Sequence, residues 1–279
     1  VVGLLGATAG ALVITVVSVA MFGRQHPEGG GPYGSRGGRA SLTAATDNVL
    51  YRTGPLGPVQ CRVPRIAAGG SESMRRFMHV LTGCLDASWR RQFTKAGLRF
   101  TPPRRVFWSR PGRSPCGSYP QPGAAAFYCP SNNAMYVGLR DIVDTAGNEP
   151  VSNYAVYARV ISHEYGHHVQ EEAGILAYGH QRMEGPAAAV RNDASRRIEL
   201  QAQCFAGVFL GAERRTLPVT AGQYQAMIAD ISGRGDDHQP VDERDHGSSV
   251  HYVGWVQKGF HHPDLSVCNT WTAPRSTIS

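Results

Sequence analysis

Apolar residues recur at helical spacing at Met74, Phe77, Met78, Leu81, Leu85 and Phe93, which predicts a packing helix opened by Ser71 and stopped by Gly97. His79 falls among its polar positions. After Pro102-Pro103 the apolar runs shorten. Residues 105–108 read as a strand, and residues 126–129 and 134–137 flank a Pro130-Ser131-Asn132-Asn133 turn as a hairpin. These runs predict a small antiparallel sheet. A second helix, capped by Ser152 or Asn153, packs Val156, Val160 and Ile161 and ends at Gly174. A third, capped by Asp193, carries Ile198, Leu200, Ala202, Phe205, Ala206, Val208 and Phe209. It is apolar on nearly every face, so it is expected to be buried. Strands followed by long helices place the fold in the α+β class.

Residues 1–22 contain no charge. As a helix they would extend about 33 Å at 1.5 Å per residue, enough for a hydrocarbon core of about 30 Å. One transmembrane helix is expected, acting as a signal anchor; the alternative is a cleaved signal peptide, because Ser18-Val19-Ala20 resembles a cleavage site. Residues 23–48 turn to Gly, Pro, Ser, Arg and Thr and read as a flexible linker. Residues 49–279 then form the folded domain.

With 279 residues and 42% hydrophobic content, the chain can bury a sizeable core. The net charge of +7 is arginine-based, Lys95 and Lys258 being the only lysines. Pairs such as Arg75-Arg76, Arg104-Arg105 and Arg214-Arg215 are scattered along the chain, without an aromatic-interleaved basic block. That pattern argues against a nucleic-acid partner and for solvated surface charge with weak attraction to anionic envelope polymers. Six cysteines, all beyond residue 60 and none in C-x-x-C, suggest disulfides in an oxidising compartment. Cys116 and Cys129 flank a short turn-rich loop and are the best-supported pair. Cys61 with Cys84 and Cys204 with Cys268 complete one scheme among about 15 connectivities.

Chemistry concentrates in His163-Glu164-Tyr165-Gly166-His167. On a helix, residues i and i+4 share a face, so His163 and His167 can bind one zinc ion while Glu164 takes a proton from activated water. Catalytic zinc usually has a third protein ligand. The form H-E-x-x-H-x-x-G-x-x-H is excluded, because Gln170 and Ala173 stand where its Gly and last His would be. Glu199 is the candidate instead. Inside a buried helix it would be a costly unpaired carboxylate unless it ligated metal, the alternative being a surface pair with Arg196 or Arg197. Glu171, Glu172 and Glu184 are weaker candidates.

The segments from His163 to Gln170 and from Glu199 to Gly207 together resemble the two signatures of the bacterial neutral zinc metallopeptidases. Gly235-Asp236-Asp237, His246-Gly247-Ser248-Ser249, Trp255, Gly259 and the Cys116 to Cys129 region extend the resemblance. It implies a zincin-like domain with an HExxH helix, Glu199 as third ligand on a second helix, and a membrane anchor or export signal. Two positions depart from the family pattern. Gln203 stands where the family has Asp, a residue suited to accept the free ring N–H of a ligand histidine. Tyr252 stands where it usually has Arg.

His246 is a candidate catalytic residue, donating to a developing oxyanion or else capping the turn at Gly247. Tyr165 and Tyr224 are assigned to packing, and Asp236, Asp237 and His238 to a solvated turn. His168 faces away from the metal; His180, His251, His261 and His262 are surface or packing residues. The expected function is a membrane-tethered, extracytoplasmic zinc metallopeptidase acting on a peptide or protein substrate. Alternatives are a catalytically weakened zinc-binding module with envelope protein partners, or a zinc hydrolase of a non-peptide amide or ester.

Overall fold

A computed structural model describes residues 41–121 and 124–279. The expected membrane span and residues 23–40 of the expected linker lie outside the described residues. No helix among those described is long and apolar enough to cross a membrane.

Among the described residues, secondary structure is present before residue 49. Ser41 accepts from the Ala44 N–H and opens α1 (Leu42–Thr46). Asn48 is buried, accepting from Leu50 N–H and donating to the carbonyls of Ala44 and Ala173. The small polar residues that suggested a linker here serve as caps. Then come α2 (Ser71–Lys95), β1 (Arg104–Trp108), β2 (Gly112–Ser114), β3 (Gly117–Tyr119), β4 (Ala126–Cys129) and β5 (Ala134–Gly138). The helical part comprises α3 (Asp141–Asp144), α4 (Tyr154–Glu172), α5 (Ile175–Met183), α6 (Ala188–Glu213), α7 (Ala221–Ser232) and α8 (Ser249–His261).

Every apolar position assigned to α2 is buried, and His79 is exposed. The β4–β5 hairpin forms as expected, turning through Asn133 in the left-handed region at φ 47°, a conformation Asn tolerates. The expected antiparallel sheet is in fact mixed, with order β1-β5-β4 and β1 parallel to β5. Arg104 N–H bonds Asn133 O, so β1 enters the sheet beside the hairpin turn and must run alongside β5. Apolar alternation marks a strand but carries no information on its direction.

Helix α6 is the centre of the helical layer, packed between α4 and α8. It begins at Ala188, before the expected cap at Asp193. Ala188 and Ala189 are strong helix formers and extend it backwards, while the Asp193 carboxylate holds Arg197 Nε at 2.8 Å across one turn. Close approach to α8 requires glycine: a Cβ on Gly207 would collide with the Val256 carbonyl. The α4–α6 seam is similarly tight, since a Cβ on Gly166 would lie 3.0 Å from backbone atoms of Ala202. All three cysteine pairs of the favoured scheme are joined, Cys61–Cys84, Cys116–Cys129 and Cys204–Cys268, the last tying α6 to the C-terminal segment.

One buried ion cluster links α4 to α7. Asp230 pairs with Arg159 and with Arg234, the latter at 2.7 Å, and all three side chains are less than a tenth exposed. Although burial pushes the Asp230 carboxyl up, the two guanidiniums outweigh it and hold it below its ordinary range. Asp230→Ala leaves buried guanidiniums uncompensated and is expected to cost about 3–5 kcal/mol in urea unfolding. A loss under about 1 kcal/mol would mean that these cations reach water instead.

Candidate metal centre

His163 and His167 sit one turn apart on α4 and turn their Nε2 atoms toward each other at 3.2 Å. From α6, Glu199 Oε2 lies 3.2 Å from His163 Nε2, and Oε1 lies 3.6 Å from His167 Nε2. Ligands about 2.0–2.1 Å from a tetrahedral metal are about 3.3 Å from one another. The three side chains therefore fit a zinc ion. Glu199 is 1% exposed, yet its Oε2 makes no hydrogen bond. A buried carboxylate oxygen facing imidazole nitrogens without hydrogen-bonding geometry is the arrangement a cation resolves. The alternative pairing of Glu199 with Arg196 or Arg197 does not occur: Arg197 bonds Asp193 and the Thr270 carbonyl, and Arg196 bonds the Arg244 carbonyl with Asp193 3.9 Å away.

Electrostatics follow from the burial. In the metal-free protein, burial pulls the His163 imidazole down to about 4. Burial works the same way on His167, but Glu199 overcomes it and lifts His167 to about 9. Glu199 itself is held well below the carboxylate range, the neighbouring imidazoles outweighing burial. Glu164, 2% exposed, is pushed up to about 7 by burial, and Tyr128 N–H bonds to it from β4. A carboxyl group that titrates near neutrality can both take and return a proton.

Gln170, which sequence reading used only to exclude another ligand pattern, orients His167. Its Oε1 lies 3.0 Å from His167 Nδ1, while its Nε2 donates to Ile198 O at 2.8 Å and Gln201 Oε1 at 3.0 Å. These bonds leave Oε1 as the acceptor and keep a proton on His167 Nδ1, so Nε2 is the nitrogen that gives up its proton to ligate a metal. The position Gln170 takes, three residues beyond His167 on the same helix, was the available signal. Gln203 makes no such bond to a ligand histidine: its side chain lies against the Tyr252 hydroxyl, with which it interacts. The two departures from the family pattern thus face each other.

His246 precedes α8 in a loop held by two carboxylates. Its Nδ1 is 2.6 Å from Asp245 Oδ1, and its backbone N–H donates to Asp236 Oδ2 at 2.7 Å. Burial opposes protonation, but Asp236 and Asp245 raise the His246 imidazole well above its ordinary range. Its buried Nε2 has no partner, and its charge acts on Glu199. Asp236 is therefore a buried support, not part of a solvated turn. Asp237 accepts from the Ser249 N–H at 2.8 Å and secures the start of α8. Asp236, Asp245 and His246 also lie close enough together to hold a cation, but Asp236 Oδ2, Asp245 Oδ1 and His246 Nδ1 are engaged by these hydrogen bonds.

His168 turns away from the centre as expected, buried among Phe100, Tyr128 and Tyr165 and drawn down to about 3 by burial. Tyr165 donates to Asp86 at 2.7 Å, and Tyr224 reaches His261 at 3.1 Å, so both are structural. His180, assigned to surface or packing, is half-buried on α5. With Leu176 and Met183 of α5 it borders a cavity of about 30 Å³ that also touches Glu164, His167 and Glu199. That volume is about one water molecule. No run of letters connects α5 to the motif; the Gly174 turn, at φ 74°, folds it back.

The family model described as "Putative neutral zinc metallopeptidase" matches residues 57–271. The chain belongs to this family. Among curated relatives with which it aligns, the uncharacterized protein YpfJ of Escherichia coli K12 is 28% identical over 215 residues, covering 74% of this chain and 75% of YpfJ. The uncharacterized protein Rv2575 of Mycobacterium tuberculosis H37Rv is 28% identical over 235 residues, covering 77% and 71% respectively. No solved structure matches the chain. Membership of the neutral zinc metallopeptidases implies zinc, and the α+β architecture fits a zincin-like domain.

Two measurements test this centre. Because Glu199 keeps His167 protonated below about 9, zinc must displace that proton. Affinity is expected to weaken as pH falls, about tenfold per unit near neutrality, with proton release visible calorimetrically in buffers of different ionisation heat. A flat affinity between roughly pH 6 and 8 would remove the proton from the site. Second, Gln203→Asp buries a carboxylate near Glu199 and is expected to destabilise the fold, whereas adding Tyr252→Arg restores it. The double-mutant cycle should give a coupling of about 1–3 kcal/mol; additivity would show that the two positions do not act as a pair.

Proposed function

We propose that this protein is a membrane-tethered, extracytoplasmic zinc metallopeptidase whose metal is held by His163, His167 and Glu199. The observation that carries the reading is the convergence of three ligand atoms at tetrahedral spacing beside a buried Glu164 that titrates at about 7. Zinc, when bound, supplies Lewis acidity toward water and a peptide carbonyl. Glu164 takes a proton from the water for which the small cavity has room, then returns it to the departing amine. Gln170 keeps His167 in its ligating tautomer. His246, charged by Asp236 and Asp245, directs its free Nε2–H to the oxygen that gains negative charge.

Strand β4 is the outer strand on this side of the sheet, and its Tyr128 already bonds Glu164. An extended substrate backbone would lie along it. The disulfides support an oxidising compartment, and the uncharged residues 1–22 support a single-pass anchor, with secretion after cleavage as the alternative. Envelope proteins are then the accessible partners and substrates.

A second reading, a catalytically weakened zinc-binding envelope module, is favoured by Gln203, whose amide lies against Tyr252 and not against a ligand histidine. Peptide cleavage separates the two. Glu164→Gln is expected to keep one zinc per chain and lose at least about 100-fold in rate on a diverse peptide library, with products identified by mass spectrometry. His246→Ala should retain zinc and lose about 100- to 1000-fold in kcat. A zinc-loaded wild type no faster than Glu164→Gln would end the peptidase reading.

A further inference from the structure

Arginines that are scattered in sequence meet on the side of the sheet away from the metal centre. Arg75 and Arg76 from α2, Arg104 and Arg105 from β1, and Arg62 from the preceding loop border one open groove of about 1030 Å³. Among the described residues, Glu72 is the only carboxylate on its walls. It lies 3.5 Å from Arg75 and 3.7 Å from Arg76, and Arg105 is paired with Asp86. Arg62 and Arg104 are exposed and have no ion pair among the described residues. The groove therefore keeps a strong positive excess. Its surface is not purely polar: Phe107 and Val80, the latter 36% exposed, also line it.

The second observation concerns the backbone. Strand β1 is the outer strand opposite β4, about 10 Å away across two strand spacings. In its parallel register, Arg104 N–H bonds Asn133 O and Leu139 N–H bonds Trp108 O. Arg104, Val106 and Trp108 therefore face β5, whereas Arg105 and Phe107 turn their N–H and C=O groups outward. Arg75 Nη1 already bonds the Phe107 carbonyl at 3.2 Å and closes one end of this edge. The N–H groups of Arg105 and Phe107 and the carbonyl of Arg105 face the groove.

We propose that this groove docks an extended acidic polypeptide segment, which adds to the sheet beside β1 and places its carboxylates among Arg62, Arg76 and Arg104. Lipid headgroups or polyphosphate would satisfy the cations, but they supply neither amide donors to the Arg105 carbonyl nor acceptors spaced for the two N–H groups. A polypeptide strand supplies both, and its alternate side chains can face Phe107 and Val80. The site is independent of the peptidase reading, since it lies on the opposite edge of the sheet.

The test is fluorescence anisotropy of the full chain with a short labelled peptide of alternating glutamate and valine. Saturable, salt-sensitive binding is expected. Arg62→Glu with Arg104→Glu, two exposed positions, should weaken it by about tenfold or more at low salt, with the melting temperature unchanged. N-methylation of alternate peptide amides, which leaves the protein untouched, should weaken it at least as much. Absence of binding, undiminished binding by the double variant, or equal affinity of the N-methylated peptide would each overturn the proposal. Polyphosphate or phosphatidylglycerol vesicles that match the peptide's affinity at equal charge would also overturn it, making the groove a general polyanion surface.

Discussion

A carboxylate buried against two imidazoles sets the terms for the rest of this molecule. Glu199 has almost no access to water, and its helix α6 runs through the middle of the helical layer. Such a group is tolerated only with compensating charge, and the compensation has to come from helices packed on either side. From α4 come His163 and His167, which approach closely because Gly166 has no side chain to keep Ala202 away. On the other side, α8 follows a loop that brings His246, and Gly207 permits that approach. The glycines in the seams are thus part of the electrostatics. Widening either seam by a methyl group would lengthen the charge separations that hold Glu199 ionised.

Around this centre, each cation has its own anchored anion. Arg159, one turn before His163, is held by Asp230. His246 is held by Asp245 and Asp236, and Asp236 in turn accepts from the backbone N–H groups of Asp245 and His246. The pairing keeps these cations fixed in a dry environment where mobile charges would collapse onto Glu199. Glu164 is treated differently. Burial outweighs the nearby His167 and Arg159 charges and the backbone N–H it receives, and moves it toward neutrality. Two glutamates lie within one site, and their environments push them in opposite directions: Glu199 is held ionised, and Glu164 is moved toward its protonated form.

Much of this could be read from the chain because the strongest signals are local. The i, i+4 histidines, the apolar stripe of α2 and the hairpin at Asn133 depend on neighbouring residues. Glu199 was found by a physical argument about burial in an apolar helix. The direction of β1 was not legible, because parallel and antiparallel strands share the same alternation. The α6 start was misplaced because Asp193 has two uses, cap or helix-surface partner for Arg197, and only the fold chooses between them. His180 and the arginine groove were missed for one reason. Each depends on segments distant in sequence that the turn at Gly174 and the packing of α2 against the sheet bring together. Gln170 was visible but assigned no role, since its partner Gln201 lies on another helix.

The two unusual residues also look different in three dimensions. An acidic residue at position 203 would be expected to brace a ligand histidine, so its replacement by Gln203 suggested a loosened centre. Yet the brace of His167 is Gln170, whose amide is itself fixed by Ile198 and Gln201 and owes nothing to Gln203. Gln203 instead lies beside Tyr252, where the family usually has a cation. Replacing an acid and a base that face each other with two neutral side chains leaves the local charge near Glu199 balanced. Either replacement alone would leave one buried charge unopposed near that carboxylate. The substitutions are therefore best understood as one change, and a change that preserves charge balance while sparing the Gln170 brace leaves the candidate ligand geometry intact.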